Sequence, residues 1–395
     1  MTEDPKDRLV TSISTEELER RWAAARAWMK EAGVDYLLLR NDEEYFGGYV
    51  KWFTDLPARH SYPFTVIFPL DDEMTTITSS PPAEPGPKPW ALRGVKKRLG
   101  APYYPSLNYT EDFDAELAVG VLTEKKNAVI GMVGRAFFSV PFYEYLTRHL
   151  PGARFVDATD AIDRIKVIKS PEEIALLRET AALQDRALAH LKTCIRPGIR
   201  ELDIFAEAHY VCTKMGCERL QLLACSYPPG EPTGFNQRHF MNRVLKERDH
   251  VVVLIEGNGP GGFYTEIARP FSLGEPAPEI KDAFAVVLEA EALNLRMMKP
   301  GAAPKAIWEA NNAFLESRGY APEGRLYAHG EGYDLVEKPA IRPEETMLLA
   351  AGMNLALHPV AKTKRVWTTC CGNYLIEERG VSECLHKTPK EIIIL

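Results

Sequence analysis

Residues 327–339 read YAHGEGYDLVEKP, a stretch in which a histidine is followed closely by two glycines. His329 lies beside Gly330, and a small neighbour lets a ligand approach an imidazole closely. A lone histidine is more often structural than catalytic. His329 is therefore a candidate site residue only if other polar residues lie near it in the fold. Three other segments of the second half supply such residues.

Two segments downstream of His329 carry polar residues at predicted strand ends. AAGMNLALHPV, residues 350–360, places His358 at the end of an apolar strand, and WTTCCGNYLIEERG, residues 367–380, places Cys371 before the next one. Lys362 follows His358 and is a candidate for binding a substrate carboxylate, although a solvated basic turn is the commoner outcome. Histidine and cysteine at neighbouring strand ends are candidates for one shared site.

A β-hairpin is predicted upstream of these segments. Residues 251–256 form an apolar strand, GNGPGG turns the chain, and residues 263–269 return, which places Glu256 and Glu266 on opposite arms. Two carboxylates on paired strands can bind a cation, hold a metal ion or share acid–base work. A phosphate-binding loop is excluded because a strand, not a helix, follows the glycines. The returning arm also carries two candidate substrate-binding residues: Tyr264 and Arg269.

The second half contains a faint internal duplication at a fixed offset of 103 positions. The matching positions are as follows: Pro197-Gly198, Ile204 and Gly216 with Pro300-Gly301, Ile307 and Gly319. A predicted long helix precedes the Pro-Gly pair in both copies. Four matches at one offset predict a domain of two related α+β halves. Two such halves enclose a cleft, and clefts are where ligands bind.

The first half alternates helix and strand patterns and carries no recognisable catalytic cluster. The pattern changes near residue 165, where Ser170 and Glu173 form a predicted capping box at the start of a long amphipathic helix. We therefore predict an α/β domain over residues 1–165 and an α+β catalytic domain over residues 166–395.

Composition excludes several classes of function. The 395 residues are 45% hydrophobic and 26% charged, as in an ordinary globular protein, with a net charge of −7. The sequence has neither a basic stripe for nucleic acid nor a run of about 20 apolar residues for a membrane. The start MTEDPKDRL has no signal-peptide core, and the seven cysteines include no CxxC pair. These features predict a cytoplasmic enzyme with reduced thiols and without nucleic-acid or membrane partners.

The motifs together resemble those of the creatinase/prolidase/methionine aminopeptidase superfamily. HGEGYDLVEKP is similar to its His-Gly-x-Gly-x-x-x-His-Glu-x-Pro motif, AGMNLALHP to Pro-Gly-Met-x-x-x-x-Glu-Pro, and NYLIEERG to a strand ending in Thr-Glu-x-Gly. RIKVIKSPEEIALLR resembles the segment between the two domains of that family. The resemblance covers nearly the whole chain. It implies a creatinase-type N-terminal domain and a pita-bread catalytic domain, in a hydrolase of the prolidase and Xaa-Pro aminopeptidase group.

Five positions of the resemblance bear on metal binding. The metallopeptidases of the superfamily hold two divalent ions with two Asp, one His and two Glu. Their Asp positions fall at or beside Glu256 and on Glu266, and their His falls on His329. Their two Glu positions carry His358 and Cys371. Because imidazole and thiol do not span two hard ions as carboxylates do, the resemblance implies that the two-metal site is lost.

The first interpretation is a metal-free hydrolase similar to creatinase or to ectoine hydrolases, which cleave non-peptide C–N bonds in small nitrogenous substrates. In this interpretation His239, within GFNQRHFMNRVLKERD, is the general acid–base. Glu256 and Glu266 bind or attack the substrate, and His329 and His358 complete the catalytic set. No cofactor is expected.

The second interpretation keeps one Zn or Fe ion in a mixed N/S/O site. The candidate ligands are Glu256, Glu266, His329, His358 and Cys371. Such a site suits a single-metal hydrolase or lyase, and an Xaa-Pro peptidase-like enzyme also stays open. A non-catalytic binding protein with the same pocket is the third possibility.

The expected partners are a small-molecule substrate and a second copy of the chain. The resemblance implies a homodimer in which the N-terminal domain of the partner covers the cleft. The aromatic-rich residues 45–59, with His60, are the candidate cover.

Overall fold

The structure is a computed structural model, and it describes the following residues: 12–57, 61–82 and 89–395. Within them the chain forms two compact units, residues 12–166 and residues 167–395. Arg59 and His60, named above as part of the candidate cleft cover, lie outside the described residues. No helix of the described part is both long enough and apolar enough to cross a membrane.

The first unit is an α/β domain built on one six-stranded sheet. Its helices and strands are α1 (Thr15–Ala32), β1 (Tyr36–Asn41), α2 (Gly48–Thr54), β2 (Phe64–Pro69), β3 (Met74–Thr78), β4 (Val95–Gly100), α3 (Phe113–Leu122), β5 (Val129–Val133), α4 (Val140–His149), β6 (Arg154–Asp157) and α5 (Thr159–Lys166). The sheet order is β4-β3-β2-β1-β5-β6, and β1 runs antiparallel to β2 but parallel to β5. Leu38, Ile67 and Phe142 are buried together in its core, which confirms the predicted α/β class.

The second unit is an α+β domain with two main sheets. Its elements are α6 (Pro171–Cys194), α7 (Glu201–Lys214), β7 (Leu220–Tyr227), β8 (His250–Asn258), β9 (Tyr264–Ser272), α8 (Pro278–Met297), α9 (Pro304–Ser317), β10 (Ala328–Gly330), β11 (Glu337–Ala340), β12 (Asn354–Leu357), β13 (Val360–Lys362), β14 (Trp367–Thr369), β15 (Gly372–Glu377), β16 (Gly380–Cys384) and β17 (Ile393–Ile394). One sheet has the order β17-β9-β8-β7 and the other β11-β10-β12-β15-β16, while β13 and β14 pair separately.

The internal duplication is visible in the helices of this domain. α7 and α9 are both 14 residues long, and the bounds of α9 are those of α7 displaced by 103 positions. Gly198 and Gly301, in the two Pro-Gly turns, have φ of 92° and 83°. These left-handed values favour glycine, which has no Cβ to clash. In the first half α6 and α7 pack together on the strands β7 to β9, and in the second half α8 and α9 pack together beside the second sheet.

The β8–β9 hairpin positions its carboxylates by strand alternation. Val253 and Ile255 pack into the core that α6 and α7 form, so their neighbours Leu254 and Glu256 point to the opposite face. Leu254 packs there against Cys371, which belongs to the second half. The hairpin thus presents Glu256 towards the second sheet.

The second sheet shows the same alternation. Leu355 and Leu357 lie in the core beneath α8 and α9. The residue between them, Ala356, pairs with His329 on β10 and with Asn373 on β15. Paired residues of neighbouring strands point to the same face of a sheet. His329 and Asn373 therefore form one row that faces the β8–β9 hairpin.

His250, at the start of β8, gives the stability of this domain a pH dependence. Its side chain is fully buried, with Nε2 3.1 Å from Thr368 Oγ1. Burial lowers the pKa of His250 from the ordinary 6.5 to about 3, so the folded chain keeps the imidazole neutral. Below pH 6.5 the unfolded chain takes up a proton that the folded chain does not, so stability falls as the pH drops from 6.5 towards 3.

We expect the free energy of unfolding to fall between pH 7 and pH 5 by about 2 kcal/mol more in the wild type than in a His250→Gln variant. Other histidines titrate in both proteins and cancel in this comparison. Chemical denaturation at the two pH values measures the difference. An equal pH dependence in both proteins would show that His250 is not a buried neutral group.

Candidate active site

Five residues selected from the sequence meet in one cleft of the second unit. Glu256 and Glu266 lie directly opposite each other in the antiparallel register of β8 and β9. Cys371 forms an isolated β-bridge with Ala268 and so joins the second sheet to this hairpin. His329 and His358 approach Glu266 from β10 and from the end of β12.

The centre of the cleft is a cluster of one carboxylate and two imidazoles. Nε2 of His329 lies 3.6 Å from Oε2 of Glu266, and Nε2 of His358 lies 4.0 Å from the same oxygen. The two rings are perpendicular neighbours with centroids 5.4 Å apart. One ligand atom of each residue lies within 4.8 Å of the other two, which is a geometry that can hold a metal ion.

Local backbone contacts fix the orientation of His329. Its Nδ1 donates a hydrogen bond to the carbonyl oxygen of Gly330 at 2.9 Å, which leaves the lone pair of Nε2 directed at the cluster. Gly330 itself allows no side chain, because a Cβ there would lie 2.1 Å from the carbonyl oxygen of Lys338. The glycine of the motif therefore permits the close strand pairing that places the imidazole.

The backbone amide of Glu266 makes a hydrogen bond, but one oxygen of its carboxylate has no hydrogen-bond partner among the described residues. Its amide donates to Asn373 Oδ1 at 2.7 Å. Its Oε1 is buried and has no hydrogen-bond partner among the described residues. A buried polar atom without a partner costs free energy, and a bound cation is one way to recover it.

The carboxyls of the cleft differ in their affinity for protons. Burial raises the pKa of Glu266, but the neighbouring imidazoles of His358 and His329 outweigh burial and lower it to about 2. Burial and the neighbouring charge of Glu266 raise the pKa of Glu256 well above its ordinary value. Negative charge in the cleft is therefore concentrated on Glu266.

Glu331 is a third buried carboxyl that the sequence interpretation missed. Its Oε2 accepts a hydrogen bond from Asn373 Nδ2 at 2.6 Å, and its Oε1 is buried without a partner in the described structure. Burial and the charge of Glu266 raise its pKa well above the ordinary value. Period-two alternation contained the signal, because Glu331 follows His329 by two residues and Asn373 follows Cys371 by two.

His239 lies away from this cluster. It occupies a short turn, Arg238–Phe240, and its exposed ring is 4.1 Å from the ring of Phe240. The segment is held against the start of α7, since Leu202 N donates to Met241 O at 2.8 Å. The cavity of about 630 Å³ beside it is lined by Leu202, Arg238, His239, Met241 and Asn242. In the described part of the chain no hydrogen bond or ion pair joins His239 to Glu256 or Glu266, so the structure adds no support to the acid–base role predicted for it.

The predicted substrate-binding residues occupy different environments. Arg269 is fully buried, and its guanidinium donates to the backbone carbonyls of Ala268, Cys371, Thr388 and Pro389. It therefore fixes loops of the fold, which corrects its predicted role in binding substrate. Tyr264 is buried, and its amide donates to Gly332 O at 2.7 Å. Lys362 is exposed on β13, and Cys371 is the buried residue described above.

Arg325 is the cation that sequence reasoning overlooked. It precedes His329 by four residues, in a segment where Tyr327 O accepts from His358 N at 2.7 Å. Burial is the main cause of the raised pKa of Glu256 and of the lowered pKa of His358, and the charge of Arg325 shifts both downwards. Its side chain is exposed, and in the described part of the chain no hydrogen bond or ion pair engages its guanidinium.

The donors of the cleft suit one transition-metal ion. Two imidazoles and a carboxylate form a common ligand set for Zn and Fe, and the unpartnered Oε1 of Glu266 needs a cation or a donor. They suit a pair of hard ions less well, because the motif resemblance implies that His358 and Cys371 replace two carboxylates. The chemistry of the donor set thus favours one ion.

Comparison with known proteins matches each of the two domains to a protein family. Residues 175–383 match the model of metallopeptidase family M24, and residues 21–168 match the creatinase/prolidase N-terminal domain. Uncharacterized peptidase YqhT of Bacillus subtilis is 27% identical over 250 residues, which cover 62% of this chain and 69% of that protein. An Xaa-Pro dipeptidase of Pyrococcus horikoshii is 23% identical over 256 residues, which cover 64% and 72%.

Solved structures show the same fold. The X-Pro aminopeptidase from Thermotoga maritima MSB8 aligns with a TM-score of 0.78 at 20% identity, over 95% of this chain and 99% of that one. The two-domain architecture and the carboxylate–histidine cleft define a hydrolase of the pita-bread class. The chain belongs to metallopeptidase family M24, whose model matches more than half of its 395 residues.

Family membership corrects two predictions made from the sequence. The metal-free hydrolase of non-peptide C–N bonds is wrong, because the family is one of metallopeptidases and the similar proteins are named peptidases and dipeptidases. The expectation of no cofactor is wrong for the same reason, and Glu266, His329 and His358 form a cluster that can bind a metal ion. By the motif resemblance, His358 and Cys371 replace two carboxylates, which disfavours a pair of hard ions and leaves three donors for one ion.

Proposed function

We propose that this chain hydrolyses the peptide C–N bond of short peptides with one Zn or Fe ion bound by Glu266, His329 and His358. The observation that carries the proposal is the convergence of these three donors, with one carboxylate oxygen buried and unpartnered among the described residues. Membership of a metallopeptidase family supports it, as do similar proteins named Xaa-Pro dipeptidase and X-Pro aminopeptidase.

Three side chains of the cleft bind the metal ion, and another transfers a proton. A bound ion supplies Lewis-acid polarisation of the scissile carbonyl. Glu256 faces Glu266 across the hairpin and lies outside the three-donor cluster, so we assign it the proton transfer to the leaving amine. Asn373 holds the backbone of Glu266 and the carboxyl of Glu331, which keeps the wall of the cleft in place.

The proposed substrate carries a free carboxylate close to the scissile bond. Arg325 lies four residues before His329, its guanidinium is exposed and unengaged within the described structure, and its charge lowers the pKa values of Glu256 and His358. A guanidinium binds a carboxylate with two parallel hydrogen bonds and so positions it as well as attracting it. A dipeptide places its carboxylate one residue from the bond that breaks, which favours dipeptides over longer chains.

An Arg325→Ala variant should raise KM for a dipeptide about 10- to 100-fold, which corresponds to the loss of one charge-assisted hydrogen-bonded pair. The same variant should leave KM for the C-terminally amidated dipeptide within about twofold, since that substrate has no carboxylate to bind. Arg379→Ala, which removes an exposed arginine from the turn between β15 and β16, is the matched control and should change neither value. Equal losses on both substrates would contradict a role in carboxylate binding.

Removal of the metal tests the proposed reaction as a whole. Dialysis against a strong chelator should lower the hydrolysis of an Xaa-Pro dipeptide by about 100-fold or more, and one equivalent of Zn²⁺ or Fe²⁺ should restore it. Liberated amino acid, measured with a panel of dipeptides, gives the readout. Full turnover in chelator, or no cleavage of any dipeptide by metal-loaded protein, would overturn the proposal.

The proposal extends to the oligomeric state of the protein and to its cellular location. We propose a cytoplasmic homodimer in which the N-terminal domain of the partner covers the cleft, with residues 45–57 contributing. Family membership and the arrangement of an N-terminal creatinase-type domain before the M24 domain support it. Sedimentation of the purified chain at several concentrations tests the dimer, and a monomer at all of them would contradict it.

A further inference from the structure

A second group of metal-ligating side chains lies on the outer helices of the second unit. His190 and Cys194 stand four residues apart on the last turns of α6, so both point from the same helix face. Glu207 projects towards them from α7, which packs against α6. One ligand atom of each lies within 4.8 Å of the other two.

The separations between these atoms are those of a small coordination site. His190 Nε2 lies 3.0 Å from Glu207 Oε2 and 3.4 Å from Cys194 Sγ. In a tetrahedral zinc site with bonds of about 2.0–2.3 Å, neighbouring ligand atoms are roughly 3.3–3.7 Å apart. The two separations from His190 Nε2 are therefore within a few tenths of an ångström of those in a zinc site, and all three ligand atoms lie within 4.8 Å of one another.

The surroundings leave the group open to solvent. The side chains of His190 and Glu207 are 34% and 45% exposed, so an ion can enter and water can complete its coordination. Cys194 is one of two cysteines that are not buried, while the other five are enclosed in the fold. The three residues are separate from the cluster of Glu266, and the proposed peptidase reaction does not use them.

We propose that His190, Cys194 and Glu207 form a second metal site that binds Zn²⁺ or a similar thiophilic divalent ion and ties the end of α6 to α7. Binding transfers the thiol proton of Cys194 to solvent, because the thiolate is the metal ligand. Imidazole, thiolate and carboxylate together suit zinc better than the hard ions Mg²⁺ and Ca²⁺, which prefer oxygen. The site does not depend on the proposed function.

The test counts zinc in a protein whose cleft site has been disabled. A His329→Ala chain, dialysed against micromolar Zn²⁺, should retain about one ion per chain, and His329→Ala/Cys194→Ser should retain none. Cys384→Ser, which removes the other cysteine that is not buried, is the matched control and should leave the ion in place. Cobalt substitution adds a readout of the ligand, because a thiolate ligand gives a charge-transfer band that Cys194→Ser should abolish.

Two outcomes would overturn this site. One is a zinc content that Cys194→Ser and His190→Gln both leave unchanged, and the other is a cobalt complex without the thiolate band. If His329→Ala does not fold, the wild type and Cys194→Ser can be compared without that change. Cys194→Ser should then contain one zinc ion fewer than the wild type. Dipeptide hydrolysis by Cys194→Ser should equal that of the wild type.

Discussion

Replacing Glu266 by glutamine should remove the metal ion from the cleft and lower kcat/KM for a dipeptide by about 10³-fold or more. The carboxylate is the charged member of the three-donor cluster, and both imidazoles lie within 4.0 Å of it. An amide of the same shape keeps the packing but loses the negative charge that holds the ion. Elemental analysis and steady-state kinetics of the same preparation measure both effects.

Glu256→Gln is the matched control for this prediction. Glu256 has the same side chain, lies on the paired strand directly opposite Glu266 and is equally enclosed, but it stands outside the cluster. We expect this variant to keep the ion and to lose kcat by about 10²-fold, because it lacks the group that transfers the proton. If Glu266→Gln and Glu256→Gln lost the ion to the same extent, the assignment of Glu266 as ligand and Glu256 as acid–base group would be contradicted.

A double variant, His358→Glu with Cys371→Glu, should raise the metal content of the cleft from one ion to two. The resemblance to two-metal peptidases places a bridging carboxylate at each of these positions. Cys371 already lies against the strand of Glu266, with Sγ 3.5 Å from Glu266 O, so a carboxylate introduced there enters the cleft. Carboxylate oxygens suit a pair of hard divalent ions better than a neutral imidazole and a thiol do.

The ion count in this experiment needs a background without the surface site. We therefore expect two ions in the double variant and one in its parent when both carry Cys194→Ser. His358→Asn with Cys371→Ser is the control, since it changes the same positions without adding carboxylates. Two tightly held ions in the parent protein would contradict the inference that His358 and Cys371 limit the cleft to one.

Local patterns in the sequence predicted the parts of the site that lie on regular strands. The motif around His329, the hairpin with Glu256 and Glu266, and the offset of 103 positions all depend on spacing along one element or between two repeated ones. The structure follows these spacings, because strand alternation decides which side chains face the cleft. The two halves then bring His329 and Glu266 within 3.6 Å.

Residues whose roles depend on tertiary contacts were not predictable in this way. The segment of His239 has no periodicity, and its position follows from backbone hydrogen bonds to the start of α7. Arg269 was predicted to bind substrate, but its guanidinium donates to four backbone carbonyls, three of which belong to distant residues between positions 371 and 389. Arg325 precedes the motif in a loop, and only the folded chain shows that its charge acts on the pKa values of Glu256 and His358.

Metal analysis decides whether the cleft holds one ion through Glu266, His329 and His358. The most direct measurement is the elemental analysis of the Cys194→Ser protein, purified without added metal. We expect one transition-metal ion per chain, retained in a Glu256→Gln variant of that protein and lost in a Glu266→Gln variant. No ion in the parent protein after incubation with Zn²⁺ or Fe²⁺, or an ion that Glu266→Gln leaves in place, would contradict it.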